Sequence, residues 1–101
     1  MKRLISAICV LFFLLPLPAQ ETYQKEIFIS SRGDTLQYRL LQPENMKKSE
    51  KYPLVLFLHG AGERGNDNER QLTHGGQMFL NPVNREKYPA FVLAPQRPET
   101  G

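Results

Sequence analysis

The sequence predicts an α/β fold in which a β-hairpin precedes a βαβ unit of a mostly parallel sheet with helices on both faces. Three observations lead to this class. Two segments with alternating apolar residues flank a glycine-containing turn, two later segments are continuous apolar runs, and a polar stretch of helical character separates those runs. The chain order therefore places the hairpin first and the parallel unit second.

The hairpin is predicted from a period-two pattern. Apolar side chains alternate with polar ones in residues 24–30 (QKEIFIS) and again in residues 35–41 (TLQYRLL). The linking turn contains Gly33, which takes a positive φ angle without steric penalty. Two strands joined in this way pair antiparallel.

The two later strands are predicted from the apolar runs at residues 54–58 (LVLFL) and 90–94 (AFVLA). A run without alternation suits a strand that is buried on both faces, as in a parallel sheet. Between the runs, residues 66–79 predict one or two short helices that break near Gly75-Gly76 and end before Asn81-Pro82. Such a crossover should be right-handed.

The first 19 residues are predicted to be a secretory signal peptide. A basic start, Met1-Lys2-Arg3, precedes the apolar residues 4–15, and Ala19 is a small residue at the expected cleavage point. The apolar run is shorter than the roughly 20 residues that span a membrane, so no stable span is expected after cleavage. The predicted division is therefore a signal peptide, residues 1–19, and the N-terminal portion of an incomplete domain, residues 20–101.

The composition argues against several classes of function. Loss of the signal peptide leaves 11 basic residues against 10 acidic ones, and this balance gives no reason to expect a nucleic acid partner. Cys9, the sole cysteine, lies in the signal peptide, so the mature chain has no thiol nucleophile or disulfide. Two histidines and scattered acids form no metal-ligand set. No metal and no cofactor are predicted.

The segment LFLHGAGERG supports two interpretations. Gly60, Gly62 and Gly65 have the G-x-G-x-x-G spacing of a dinucleotide-binding loop. That function needs a helix packed on the sheet after the third glycine and a carboxylate after the next strand. The residues after the third glycine are polar (NDNER), and the next predicted strand is followed by Pro95-Gln96. The context therefore argues against a dinucleotide site.

Read with the preceding His59, the same glycines form H-G-x-G, which suits an oxyanion hole. Acyl transfer builds negative charge on a carbonyl oxygen, and losing one backbone N–H that stabilises it typically costs on the order of 3 kcal/mol. Such donors must be free of sheet pairing and open to the substrate. Ala61, a small residue between glycines directly after a strand, meets both conditions.

The segments LVLFLHGAGERGNDNERQL and PAFVLAPQRPE, with the hairpin end LLQP, resemble secreted α/β-hydrolases of the predicted-peptidase and carboxylesterase group. That group is related to the prolyl oligopeptidase and dienelactone hydrolase families. The resemblance covers roughly residues 24–99. It implies the N-terminal part of an α/β-hydrolase fold, an eight-stranded and mostly parallel sheet in the complete domain, and a Ser-Asp-His triad.

Carried over to this sequence, the resemblance implies that the backbone N–H of Ala61 is the first oxyanion donor and that of Gly62 the second. His59 and Gly60 then shape the turn. His59 could also be considered as a base, but its place in the loop favours a role in packing or bonding the loop.

The residues after the donors keep two interpretations open. Glu63 and Arg64 either form a solvated loop, or one of them braces the loop through an internal ion pair or binds substrate at the edge of the pocket. His74, beside the glycine pair, is expected near the rim of the site rather than in the catalytic machinery.

The chain departs from the family pattern in its nucleophile. No G-x-S-x-G pentapeptide is present, and the serines after the signal peptide, Ser30, Ser31 and Ser49, lie in the hairpin and a charged connection. The triad is therefore expected outside this chain, which by itself should be inactive.

Two hypotheses of different classes follow. In the first, the chain is the N-terminal part of an exported serine hydrolase that cleaves a small-molecule ester or a peptide. In the second, it is a small exported module without enzymatic activity that keeps the glycine loop for structure. A dehydrogenase ranks third.

Export is the first testable prediction. We expect the exported fraction of the producing cell to contain a protein that begins at or near Gln20, because residues 1–19 have the layout of a cleaved signal. Mass spectrometry of the N-terminal peptide measures this. A cytosolic protein that retains Met1, with no cleaved form, would contradict the prediction.

Overall fold

The computed structural model describes residues 22–100, and the predicted signal peptide lies outside them. Four strands form one mixed sheet in the order β1-β2-β4-β3. Their bounds are Gln24–Ile29 for β1, Thr35–Leu41 for β2, Leu54–Leu56 for β3 and Phe91–Pro95 for β4. The predicted fold class is confirmed, since a hairpin precedes two parallel strands.

The hairpin has a turn that its local sequence dictates. Strands β1 and β2 pair antiparallel from Gln24 opposite Leu40 to Ile29 opposite Thr35. In the turn, the Oγ of Ser30 accepts hydrogen bonds from the backbone N–H groups of two later turn residues. Gly33 has a φ of 90°, a conformation that disfavours a side chain.

The last strand joins the hairpin to the parallel unit. Strand β4 pairs antiparallel with β2 and parallel with β3, so that Val92 lies opposite both Leu41 and Val55. The parallel pair and its crossover form the predicted βαβ unit. Strand β3 is shorter than predicted, although the Phe57 N–H still donates to the Leu93 carbonyl over 2.9 Å. After Phe57 the backbone leaves the sheet and enters the glycine loop.

The crossover consists of short helical segments. Three 3₁₀ turns cover Ala61–Glu63, Arg70–Leu72 and Gly76–Leu80, so the predicted break near the glycine pair is confirmed. An α-helix, α1 (Pro82–Lys87), follows where the sequence analysis placed the end of the helical region.

The Asn-Pro pair begins α1 because both residues suit a helix N-terminus. The Oδ1 of Asn81 accepts hydrogen bonds from the N–H groups of Val83 and Asn84 over 3.0 and 3.3 Å. Pro82 occupies the first helical position, where proline's missing N–H costs nothing. At the other end of the helix, Arg85 donates to the Glu44 carboxylate over 2.9 Å. The helix is thereby tied to the segment that follows β2.

The core lies on one face of the sheet. Val92 and Ala94 of β4 share this face with Leu41, and the helical segments cover it through Leu72. Tyr23 packs beside them, and its hydroxyl donates to the Gly76 carbonyl over 2.8 Å. Burial raises the pKa of Tyr23 to about 12, while the charge of Arg85 acts in the opposite direction.

The other face of the sheet is apolar and uncovered by the described residues. Leu54 and Leu56 of β3 point to it and are 62% and 56% exposed. Within residues 22–100 the helical segments lie over one face of this strand, so these residues do not supply the cover that its apolar run calls for on the other face. A parallel strand with such composition is stable when both faces are covered.

We therefore expect the 101-residue chain alone to lack a cooperative thermal transition, because folding would leave this leucine-rich face in water. Differential scanning calorimetry of the purified chain measures this, and an activated ester tests for turnover. A sharp heat-absorption peak, or turnover that a serine-directed reagent abolishes, would show the expectation to be wrong.

Candidate active site

The glycine loop lies at the carboxyl ends of the parallel strands β3 and β4. In open α/β sheets this edge is where ligands bind, because the loops that leave the strands there surround a crevice. The loop leaves β3 through Leu58 and His59, passes Gly60 in an extended conformation, and tightens into the 3₁₀ turn Ala61–Glu63. The segment after β4 returns alongside it, and the Gly65 N–H donates to the Arg97 carbonyl over 3.0 Å.

His59 uses both ring nitrogens to hold the loop. Its Nε2 accepts the backbone N–H of Arg97 over 3.0 Å, which requires that the proton of the neutral ring sit on Nδ1. That Nδ1 lies 2.6 Å from the Gly60 carbonyl, to which it donates. The imidazole therefore links the loop to the segment after β4, and neither nitrogen is free to accept a proton from a nucleophile.

Gly60 begins the turn and lies close to its last residue, Glu63. Its carbonyl accepts the Glu63 N–H over 3.2 Å, which closes the 3₁₀ turn. A Cβ atom at position 60 would lie 3.0 Å from Oε2 of the same glutamate. The carboxylate thus occupies the space that a side chain at position 60 would need.

The two candidate donors begin the turn with their N–H groups unused. The first N–H groups of any helical turn lack a partner within the turn. Within residues 22–100, neither the Ala61 nor the Gly62 N–H donates a hydrogen bond. Both residues are exposed, and an added Cβ on Gly62 would meet no atom within 4 Å. The two donors are therefore accessible to a bound oxygen.

Glu63 braces the loop through His74, which lies in the crossover. Its Oε1 is 3.1 Å from His74 Nε2, and its side chain is 14% exposed against 78% for the histidine. The partner of the Glu63 carboxylate is therefore His74, and whether Glu63 or Arg64 also binds substrate stays a prediction. Arg64 is half-buried and is not part of this contact.

A cavity of about 440 Å³ lies beside the loop. Its wall combines apolar side chains with the loop backbone and two arginines. The lining residues are Leu36, Leu58, His59, Gly60, Ala61, Arg64, Pro95, Arg97 and Pro98. Four of the six site residues expected from the sequence, His59, Gly60, Ala61 and Arg64, therefore meet at one cavity, with Gly62 and Glu63 in the same turn.

Gln96 anchors the glycine loop to the end of β4. This side chain is 1% exposed, and its Nε2 donates to the Glu63 carbonyl over 3.2 Å and to Asp67 Oδ1 over 2.8 Å. Its Oε1 accepts the Asn68 N–H over 2.7 Å. One carboxamide at the end of β4 thus holds both the turn with the candidate donors and the segment that follows it.

Arg39 and Asn68 extend this anchor into the sheet. Arg39 is buried on the core face of β2, where its Nε donates to the Asn68 carbonyl over 2.6 Å and its Nη1 to the Tyr23 carbonyl over 2.8 Å. Asn68 has a φ of 53°, and its Nδ2 donates to the Tyr38 carbonyl over 3.1 Å. Burial lowers the pKa of Arg39, and the carboxylates of Glu69 and Asp67 partly offset this.

Asp67 is held as an anion within this network. Burial is the largest single influence and raises its pKa, but the hydrogen bonds from Gln96 and from two backbone N–H groups act against it and lower the pKa. The charge of Arg70, whose Nε lies 3.4 Å from Oδ2, acts in the same direction. The pKa of Asp67 therefore lies below its ordinary value.

The sequence analysis did not identify these anchoring residues. Gln96 carried one signal, because it is a polar residue directly after a strand at the carboxyl edge of the sheet. Arg39 carried another, since the alternation of β2 places it on the same face as Leu41, which is buried. Nothing in the local pattern distinguishes Asn68 from its polar neighbours.

Fold and comparison agree on the class of the protein. Residues 22–100 have the fold of the N-terminal part of an α/β-hydrolase. The chain is similar to the crystal structure of a thermostable esterase, with a TM-score of 0.74 and 39% sequence identity. The match covers 80% of this chain and 22% of the esterase chain, so this chain spans about a fifth of that protein's length.

The other comparisons add no relative. No protein-family model matches the chain, and no curated protein matches it. Among residues 22–100, no helix is long and apolar enough to cross a membrane.

The anchor yields a prediction about stability. Replacing Gln96 by alanine leaves the Asn68 N–H and the Glu63 carbonyl without their buried partner, and each such loss costs about 1–3 kcal/mol. In the protein expressed from its complete reading frame, we expect Gln96→Ala to lower the free energy of unfolding by about 2–4 kcal/mol, measured by urea denaturation.

The matched control is Gln77→Ala, because Gln77 is exposed in the crossover. It should shift the same free energy by less than about 0.5 kcal/mol. Equal effects of the two substitutions would contradict the role given to Gln96.

Proposed function

We propose that this chain supplies the oxyanion hole of an exported serine hydrolase that cleaves esters. The observation that carries the proposal is the pair of unused N–H groups on Ala61 and Gly62 in one 3₁₀ turn, of which Ala61 lines a cavity of about 440 Å³ at the carboxyl edge of the sheet. The likeness to a thermostable esterase supports an ester, rather than a peptide, as the substrate.

The loop would act at the carbonyl group of the ester. A serine oxygen forms a bond to the carbonyl carbon, and the π electrons of the C=O bond move to the oxygen, which becomes an oxyanion. The N–H groups of Ala61 and Gly62 donate to that oxygen and stabilise the charge. The proton of the serine passes to a histidine outside these 101 residues and from there to the alcohol, which departs as the intermediate collapses and its bond to the carbonyl carbon breaks. Water then hydrolyses the acyl-enzyme by the same two steps.

The serine and its partners would come from sequence outside these 101 residues. The mature chain has no G-x-S-x-G pentapeptide, and both ring nitrogens of His59 are engaged in the loop. In an α/β-hydrolase the nucleophile sits on a strand-to-helix turn, and the acid and then the histidine follow it in the chain. The N–H after that serine would serve as a further oxyanion donor.

Rigidity of the loop supports the proposal. An oxyanion hole accelerates a reaction because its dipoles are already aimed before charge develops. Here His59 fixes the start of the turn, the Glu63–His74 pair fixes its end, and Gln96 holds the Glu63 carbonyl from the core. The donors therefore need no reorganisation when substrate enters.

Export belongs to the same proposal. The basic start, the apolar run and Ala19 support cleavage of residues 1–19 and release of the enzyme into a periplasmic or extracellular compartment.

The decisive substitution is Ala61→Pro in the protein expressed from its complete reading frame. Position 61 is the first residue of a helical turn, where proline fits, so the change removes the N–H and keeps the backbone path. We expect kcat for a 4-nitrophenyl ester to fall about 100- to 1,000-fold with little change in stability.

Ala61→Val is the matched control, because valine has a bulk close to that of proline and keeps the N–H. It should lose less than about tenfold in kcat. If both variants lose activity equally, the N–H of residue 61 is not the donor. If the wild-type protein has no ester turnover that a serine-directed reagent blocks, or its complete reading frame holds no serine elbow, the mechanism is wrong.

A further inference from the structure

The charge of the cavity wall is unbalanced. Arg64 and Arg97 line it, and no carboxylate side chain is among the lining residues. Neither arginine forms an ion pair with another residue in the range 22–100, whereas Arg70 and Arg85 bind the carboxylates of Asp67 and Glu44. Two positive charges at one cavity are thus left for a bound group to neutralise.

The carboxylates nearest in sequence are already engaged elsewhere. Glu63, beside Arg64, contacts His74 Nε2 at 3.1 Å and is 14% exposed. Glu99, which follows the cavity-lining residue Pro98, lies 3.8 Å from Arg70 Nη1. Residues 22–100 therefore provide the cavity with two cationic groups, while these two carboxylates contact other partners.

The rest of the wall strengthens the effect of these charges. Leu36, Leu58, Pro95 and Pro98 are apolar, so a ligand in the cavity exchanges water for a surface of lower polarity. Attraction between charges is stronger in such surroundings than in bulk water. An arginine also offers a planar set of donors that matches the two oxygens of a carboxylate.

We infer that this cavity selects esters that carry a carboxylate in addition to the scissile ester group. The inference rests on the proposed function and names the substrate class of the same site. The ester carbonyl would lie at the Ala61 and Gly62 N–H groups, while the second, anionic end of the substrate would be bound by Arg64 and Arg97. Both arginines are specificity-determining residues in this arrangement.

The test compares matched esters with the protein expressed from its complete reading frame. One pair is mono-4-nitrophenyl adipate and its neutral carboxamide, which differ in charge on the acyl side. The other is 4-carboxyphenyl butyrate and 4-carbamoylphenyl butyrate, which differ on the alcohol side. In at least one pair, we expect kcat/KM for the carboxylate ester to exceed that for its amide by about tenfold at low ionic strength.

Two manipulations should reduce that preference. Arg64→Gln and Arg97→Gln should each lower the ratio about threefold, and the double variant should bring it close to one. Raising the ionic strength from about 0.01 M to about 1 M should lower it as well, because salt screens exposed charges. A general loss of folding or of loop geometry lowers kcat/KM for both esters of a pair, so it leaves their ratio within one variant unchanged.

Arg32→Gln is the control, since Arg32 is an exposed arginine in the hairpin turn that does not line the cavity. It should leave both the ratio and the rate unchanged. Equal kcat/KM values for charged and neutral esters in both pairs would overturn the inference and leave the proposed function standing. So would a preference that survives in the double variant. Absence of turnover with all four esters would overturn the proposed function and this inference with it.

Discussion

The arrangement of the site depends on the hydrogen bonds of a single buried carboxamide. Gln96 follows the last residue of β4, and its side chain binds the Glu63 carbonyl, Asp67 and the Asn68 N–H at once. Gln96 is itself buried, and a buried side chain that satisfies three polar groups at once holds its partners in one geometry. The loop after β3 is thereby fixed to the strand beside it.

The N–H groups of Ala61 and Gly62 stay free, while the residues on either side of them are held by hydrogen bonds. His59 joins the start of the turn to Arg97, and Glu63 closes its end through its N–H and its carboxylate. Ala61 and Gly62 lie between these fixed points, at the beginning of a 3₁₀ turn whose first N–H groups face no acceptor within residues 22–100. A rigid frame around free donors is the requirement for stabilising charge on a substrate oxygen.

The two faces of the sheet differ in how they are covered. One face is packed by Leu72 and the helical segments, while the other presents Leu54 and Leu56 without cover from the described residues. Parallel strands of this composition belong in a sheet covered on both sides. The match to about a fifth of an esterase chain agrees with a unit that other parts of such a domain would complete.

Local sequence determined the hairpin, the order of the strands along the chain and the position of the glycine loop. Period-two alternation, Gly33 at the turn and the H-G-x-G motif all act within a few residues, and each led to the observed element. The beginning of α1 was also encoded locally, but Asn81-Pro82 can end one helix or cap the next. In this fold the pair does both, since Asn81 ends the 3₁₀ turn Gly76–Leu80 and caps α1.

Tertiary structure decided the rest, because the deciding contacts join residues far apart in the chain. His59 meets Arg97 across 38 positions, Gln96 meets Glu63 across 33, and Arg39 meets Asn68 across 29. No periodicity encodes such pairs. Burial of a polar side chain is favourable only where folding brings a partner to it, so its role becomes visible once both partners have been placed.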